Sequence, residues 1–320
     1  MHQRFTQESD FRKLRDFGQK FSATFEFIGE HWRGLGRALL YIVLPAALLQ
    51  GIVAGLLQKE FLTGAMPGQQ ASMREGFLSR LAMLSQVTET PYYWVSMVMG
   101  AVFVTLLFLT VYGYLRCCLR PRPAAGPIGV GQVWEVVKEQ FAGGFASYFG
   151  LGFLVIVGLV LFFIPGVYLL IAFSLFYVVK VVEGSGFGGT VRRCLQLIKG
   201  KWWSTFGLLF VMSLMLGLLL TIAGGMVGGI AYALLRSTFS SLLGSDSRST
   251  LGILTVITTA FSGLFNLLIY PPILLAIAFQ YFNLVERRDG VGLRNMVDQL
   301  GQAPAAVQNT AYRPDDEGEY

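Results

Sequence analysis

The chain is short of the groups from which catalytic and metal sites are assembled. Only two of its 320 residues are histidine, His2 and His31, and only three are cysteine. That supply cannot furnish a histidine-based metal site or a Ser-His-Asp relay. Cys117 and Cys118 are adjacent and Cys194 falls on an apolar stripe, so no disulfide framework is expected. They read as small apolar residues, with lipidation at Cys117 or Cys118 as the functional alternative. Glycines are plentiful, yet none opens a phosphate-binding loop followed by Lys and Ser or Thr. The expectation is a protein that is not an enzyme and carries no cofactor.

Charge is scarce too. Charged residues are 14% of the chain and hydrophobic ones 54%, and the mean hydropathy is +0.57. That leaves too little polar surface for a soluble globule of this size. A net charge of +6 would suit nucleic acid, but the basic residues lie in short clusters beside apolar runs, as orientation signals do. Membrane lipids, and other membrane proteins, are therefore the expected partners, and nucleic acid is not. A polar, basic segment precedes the first apolar run, so no cleavable leader is expected and insertion starts from the first span.

What is present is a set of long apolar runs, and Phe145 to Phe206 organises them. Two runs without charge flank Ile164, Pro165 and Gly166, which reads as a tight hairpin inside or at the edge of a bilayer. Beyond it Phe187, Val191, Cys194, Leu195, Ile198 and Trp202 recur at helical spacing, opposite Arg192, Arg193, Gln196 and Lys199. That is the pattern of a helix lying in the membrane surface. The same pattern occurs over 10–32, with Phe11, Leu14, Phe17, Phe21, Phe25 and Ile28 opposite basic residues, and over 129–142, around Trp134 and Phe141.

The expected fold is an all-α polytopic membrane bundle. Its spans are read at 34–57, 92–115, 145–163, 167–183, 203–235 and 251–285, with in-plane amphipathic helices at 10–32, 129–142 and 186–201. Residues 1–300 form one transmembrane domain and 301–320 a polar, disordered tail. A short helix is expected over 73–84, and a fourth amphipathic one around Leu293, Met296, Val297 and Leu300. Pro45 should bend the first span. The last two spans exceed the ~20 residues that cross a bilayer, so they must tilt, break or project. Three units, 10–116, 128–183 and 184–286, each read as an amphipathic helix followed by two spans.

Six spans place both termini on one side. The segments on that side hold all but Lys59, Arg74, Arg80, Arg236 and Arg248 of the 25 basic residues. Cytoplasmic loops carry the excess, so both ends are expected in the cytoplasm, with the chain in the inner membrane.

The run FFIPGVYLL, followed by VVEGSGFGGTVRRCLQLIKGKWWSTFGLLF, resembles the glycerophosphoryl diester phosphodiesterase membrane domain group of poorly characterised bacterial membrane proteins. The resemblance rests on Ile164, Pro165 and Gly166, on Glu183, and on Lys201 followed by Trp202 and Trp203. FQYFNLVER at the end of span six adds to it, so it covers most of spans three to six and, more loosely, the amino-terminal helix. It implies no enzyme. Where relatives carry a phosphodiesterase barrel, that barrel needs about 250 residues, and no stretch outside these spans approaches such a length.

Two sets of residues are candidates for a role. Gly224 with Gly228, and Asn266 with Tyr270, Pro271 and Pro272, would make a small polar pocket between spans five and six for a lipid headgroup or amphipathic ligand. Lys180, Glu183, Lys201, Trp202 and Trp203 read as interfacial anchors, with Lys180 and Glu183 paired on one helix face. The leading reading is a non-enzymatic membrane protein that organises lipid or partner proteins. A small permease or exporter of an apolar or amphipathic substrate is the alternative, suggested by breaks in the two long spans.

Overall fold

The computed structural model describes residues 5, 8–64, 88–119, 128–243 and 247–290. The expected helices over 73–84 and around Leu293, and the tail 301–320, lie outside them. The described residues form an all-α polytopic bundle. Six of its helical stretches are long and apolar enough to cross a membrane: Phe17–Glu60, Pro91–Leu119, Val130–Leu161, Phe163–Glu183, Trp202–Leu219 and Gly252–Asp289.

The chain begins with a short turn, α1 (Glu8–Phe11), and then α2 (Phe17–Ala38), a π-helical segment (Leu39–Val43) and α3 (Leu44–Gly64) as one continuous rod. Asp16 starts it through a capping box with Gln19, whose Oε1 accepts the Asp16 N–H at 3.0 Å. The expectation of a separate in-plane helix over 10–32 is therefore corrected. The helix continues through Gly34 and Gly36, so the amphipathic segment runs on into the span. Its buried face also differs from the Phe stripe. Lys20, Ala23, Thr24 and Phe27 face the protein, while Phe17 and Phe25 are exposed. The disturbance expected at Pro45 takes a specific form. The Leu44 N–H reaches back to the Leu39 carbonyl, closing a π turn just before the proline, a common device for absorbing a ring that cannot continue the α ladder.

Next come α4 (Pro91–Leu119) and α5 (Val130–Leu161). The second in-plane helix, 129–142, is likewise corrected: it is the first part of α5, a rod of about 48 Å at 1.5 Å per residue. The hairpin is real but turns at Phe162, the single non-helical residue between α5 and α6 (Phe163–Phe173). Ile164, Pro165 and Gly166 lie in the first turn of α6, where a proline loses no hydrogen bond. The two arms nearly touch there: a Cβ on Gly166 would lie 2.5 Å from the Leu159 nitrogen.

Span four is interrupted at Ser174, whose hydroxyl bonds the Ile171 carbonyl at 2.7 Å, and resumes as α7 (Phe176–Glu183). Gly184 ends α7 in the left-handed conformation, φ 69°, which a side chain would strain. Then follow α8 (Phe187–Ile198), α9 (Trp202–Leu243) and α10 (Ser247–Asp289). Neither long helix breaks: α9 runs through its glycines and α10 through Pro271 and Pro272. The expected breaks are absent, and the excess length is met by tilt or projection.

The most extensive helix pairing joins α3 to α10. A Cβ on Gly51 would lie 2.7 Å from the Ala260 Cα, and one on Gly55 2.8 Å from the Val256 Cα. These two glycines, four apart, let the backbones approach closely. Thr259 of α10 adds a 2.9 Å hydrogen bond to Gln58 of α3.

Candidate functional site

The end of the bundle where the described chain both begins and finishes gathers its polar side chains. Sequence reasoning pointed elsewhere. Of the residues read as a pocket, Asn266 and Pro272 are half-buried, Pro271 is buried and Tyr270 is exposed; Gly224 and Gly228 lie where only the helical path is described. Trp202 stacks on Phe206 at 5.3 Å and on Tyr168 at 6.4 Å. Trp203 is 77% exposed, and Lys201 is exposed at the start of α9. Cys117, Cys118 and Cys194 are all buried free thiols.

The Lys180–Glu183 pairing is corrected. Lys180 turns toward Gly143 of α5, whereas Glu183 binds Arg193 of α8. Arg193 Nε donates to Glu183 Oε1 at 3.0 Å, and its other arm reaches Asp289 at the end of α10. Tyr281 of α10 donates its hydroxyl to the same Glu183 oxygen at 2.9 Å. One guanidinium thus ties α7, α8 and α10 together. Burial opposes its charge, but the bonds to Asp289 and Glu183 hold it above its ordinary value.

The local sequence makes this clamp. Gly186 leads into α8, and the Thr190 hydroxyl bonds the Gly186 carbonyl at 2.9 Å. Thr190, Cys194, Leu197 and Ile198 then face the protein core, which leaves Arg193, one position before Cys194, at the edge of the buried face. The apolar stripe read in the sequence is therefore largely the stripe that packs, and it packs on the bundle. Burial, reinforced by Glu183, pushes the Cys194 thiol up to about 12. Below pH 9 it holds about a thousandfold less thiolate than an unshifted thiol, and the thiolate is the nucleophile. A variant keeping only Cys194 should stay unmodified by maleimide at pH 8 until detergent unfolding, and prompt labelling of the folded protein would contradict this packing.

The amino-terminal segment before α2, a strap described at residues 5 and 8–16, docks onto the same end. Phe5, Phe11 and Phe27 cluster on Phe279, with ring centroids 5.7, 6.3 and 6.2 Å away. The Arg15 guanidinium lies 5.0 Å over the Phe279 ring and donates to the Phe11 carbonyl at 2.7 Å. Burial lowers its pKa from the ordinary value, with Asp10 and Glu26 opposing. Asn283 donates to the Arg15 carbonyl at 2.6 Å, and accepts from Arg287 at 2.9 Å. Gln280, one turn earlier, donates to Thr205 of α9 at 2.9 Å.

Gln280 and Asn283 are 1% exposed, and sequence reasoning passed over both. The available signal was two amides, one turn apart, inside an apolar run. Beside the strap a shallow cavity of about 300 Å³ is lined by Asp10, Lys13, Arg15, Gln19 and Glu26 among others. Chemically the region offers fixed cations and amide donors at a helix-bundle end. Among the described residues, no three His, Cys, Asp or Glu side chains are grouped to hold a metal. No protein-family model, curated protein or solved structure matches the chain.

Proposed function

We propose that the chain is a non-enzymatic protein of the bacterial inner membrane, with both ends in the cytoplasm, that organises lipid or partner proteins at the cytoplasmic face. The observation that carries this is the composition of one bundle end. The strap, α8 and the end of α10 are locked together there by Arg193 and Asn283. Beside that lock large apolar side chains face outward: Leu14, next to Arg15, at 61% and Trp203, at the start of α9, at 77% exposed. Aromatic and basic residues side by side suit a membrane–water boundary. The resemblance to the glycerophosphoryl diester phosphodiesterase membrane domain group agrees with this reading. The permease alternative drew on breaks in the two long spans, and both helices are continuous.

Topology is the first thing to test. A reporter active only outside the cytoplasm should give signal when fused at residue 70 or 243, and none at 125, 190 or 305. Signal at any of the last three would overturn the orientation.

A further inference from the structure

Lys20 is the most unusual charge in the molecule. It is 4% exposed, it lies on the protein-facing side of α2 beside Ala23, Thr24 and Phe27, and its ammonium donates no hydrogen bond among the described residues. Its stem is enclosed by the protein, and a cation in a largely enclosed position is costly unless an anion faces it. Its charged surroundings work the other way. Arg287 and Lys201 are close enough for their charges to act on it, and the acidic neighbour is Asp16, in the preceding turn. These cations come from three elements. Lys20 is on α2, Arg287 is near the end of α10, and Lys201 immediately precedes α9.

The packing keeps them together. Phe17, one turn before Lys20, lies 3.9 Å from where a Gly207 Cβ would be, so α2 crosses the first turns of α9. Gln280 binds Thr205 of α9, and Arg287 is oriented by Asn283, which itself holds the Arg15 carbonyl. These contacts bring the elements that carry the three cations together at one end of the bundle. The free N–H groups at the start of α9 add partial positive charge at the same place.

We propose that Lys20, Lys201 and Arg287 form a binding site for the phosphate of an anionic phospholipid. The shared chemistry is that of a phosphate oxyanion, which free phosphate also has, but the rim favours a lipid. Phe17, one turn before Lys20, is 43% exposed and Trp203, two residues after Lys201, 77%, a surface that suits acyl chains and not a hydrated ion. This deepens the lipid-organising reading, and the leaflet assigned to the lipid, the cytoplasmic one, rests on it. The site itself does not depend on orientation.

The test uses the full-length protein in neutral detergent, with thermal unfolding followed as lipid is titrated. Phosphatidylglycerol should raise the midpoint, because a ligand that binds only the folded state stabilises it. Phosphatidylcholine at the same mole fraction and inorganic phosphate should each leave it unchanged. Lys20→Gln should weaken the apparent affinity for phosphatidylglycerol about tenfold, the scale of a lost charge-assisted hydrogen bond, and should not lower the lipid-free midpoint, since it removes a largely enclosed cation that has no hydrogen-bond partner. Lys201→Gln, at an exposed side chain that leaves folding intact, should weaken affinity in the same direction, and Lys138→Gln on α5 should not. Equal responses to both lipids, or an unchanged affinity in Lys20→Gln and Lys201→Gln, would overturn the site. An equal response to inorganic phosphate would overturn the lipid assignment in favour of a soluble anion. Because binding is read in detergent, a reversed reporter pattern would sink the orientation and leave this result standing.

Discussion

Replacing Gly51 and Gly55 together by leucine should leave membrane insertion intact while sharply lowering the stability of the bundle. Both positions face α10 backbone, with the added Cβ atoms 2.7 Å from the Ala260 Cα and 2.8 Å from the Val256 Cα. Backbone cannot rotate aside as a side-chain tip can, so the helices must separate along the most extensive interface in the fold. Overpacking costs about 1–3 kcal/mol per site, and neighbouring sites on one interface need not add. Separation would also break the Thr259–Gln58 hydrogen bond. Gly217→Leu is the matched control, because nothing lies within 4 Å of its added Cβ. Unfolding in detergent should show a large fall in midpoint for the double variant and little change for the control. A double variant as stable as the control would mean that α3 and α10 are not in backbone contact.

That interface also shows how far sequence can be read. Spacing and apolar length locate the spans because hydrocarbon thickness acts on each segment separately. They do not say which glycines meet a neighbour. Gly51 and Gly55, four apart on α3, face the backbone of a partner helix, and nothing local distinguishes them from Gly224 and Gly228, whose surroundings lie outside the described side chains. Local pattern likewise proposed Lys180 as the partner of Glu183, three residues away. The observed partners, Arg193 and Tyr281, come from other elements, and Asp289 shares the same arginine.

Boundaries failed for a related reason. The amphipathic stretches 10–32 and 129–142 were read as separate helices because their periodicity differs from that of a span. No proline ends them, however, and the backbone continues through Gly34 and Gly36 and through Gly143 and Gly144. The hairpin, by contrast, was legible to within a few residues, since proline and glycine mark it directly. At the candidate site the place of Lys201, Trp202 and Trp203 at the start of α9 could be read locally. The burial of Lys20 could not, because it follows from how α2 meets α9 and α10.

The second large effect is expected at Phe279. Its side chain is 1% exposed and joins the amino-terminal segment to α10, meeting Phe5, Phe11 and Phe27 and carrying the Arg15 guanidinium 5.0 Å above its ring. Phe279→Ala removes the shared surface of all four. Truncating a buried phenylalanine costs about 3–5 kcal/mol, and the lost cation–π contact adds roughly 1 kcal/mol. The ties that remain are the Asn283 hydrogen bond to the Arg15 carbonyl, worth about 1 kcal/mol, and the Phe11 ring against Phe282 at 5.8 Å. The strap should therefore loosen while the spans stay assembled. A spin label at Lys13 should become more mobile in Phe279→Ala and stay as it is in Phe261→Ala, where the ring is 61% exposed on the same helix. Lys20 depends on the position of α2, so lipid affinity should fall in the same variant. If the label's mobility is unchanged while the unfolding midpoint drops, the ring stabilises α10 alone and the strap is held by other contacts.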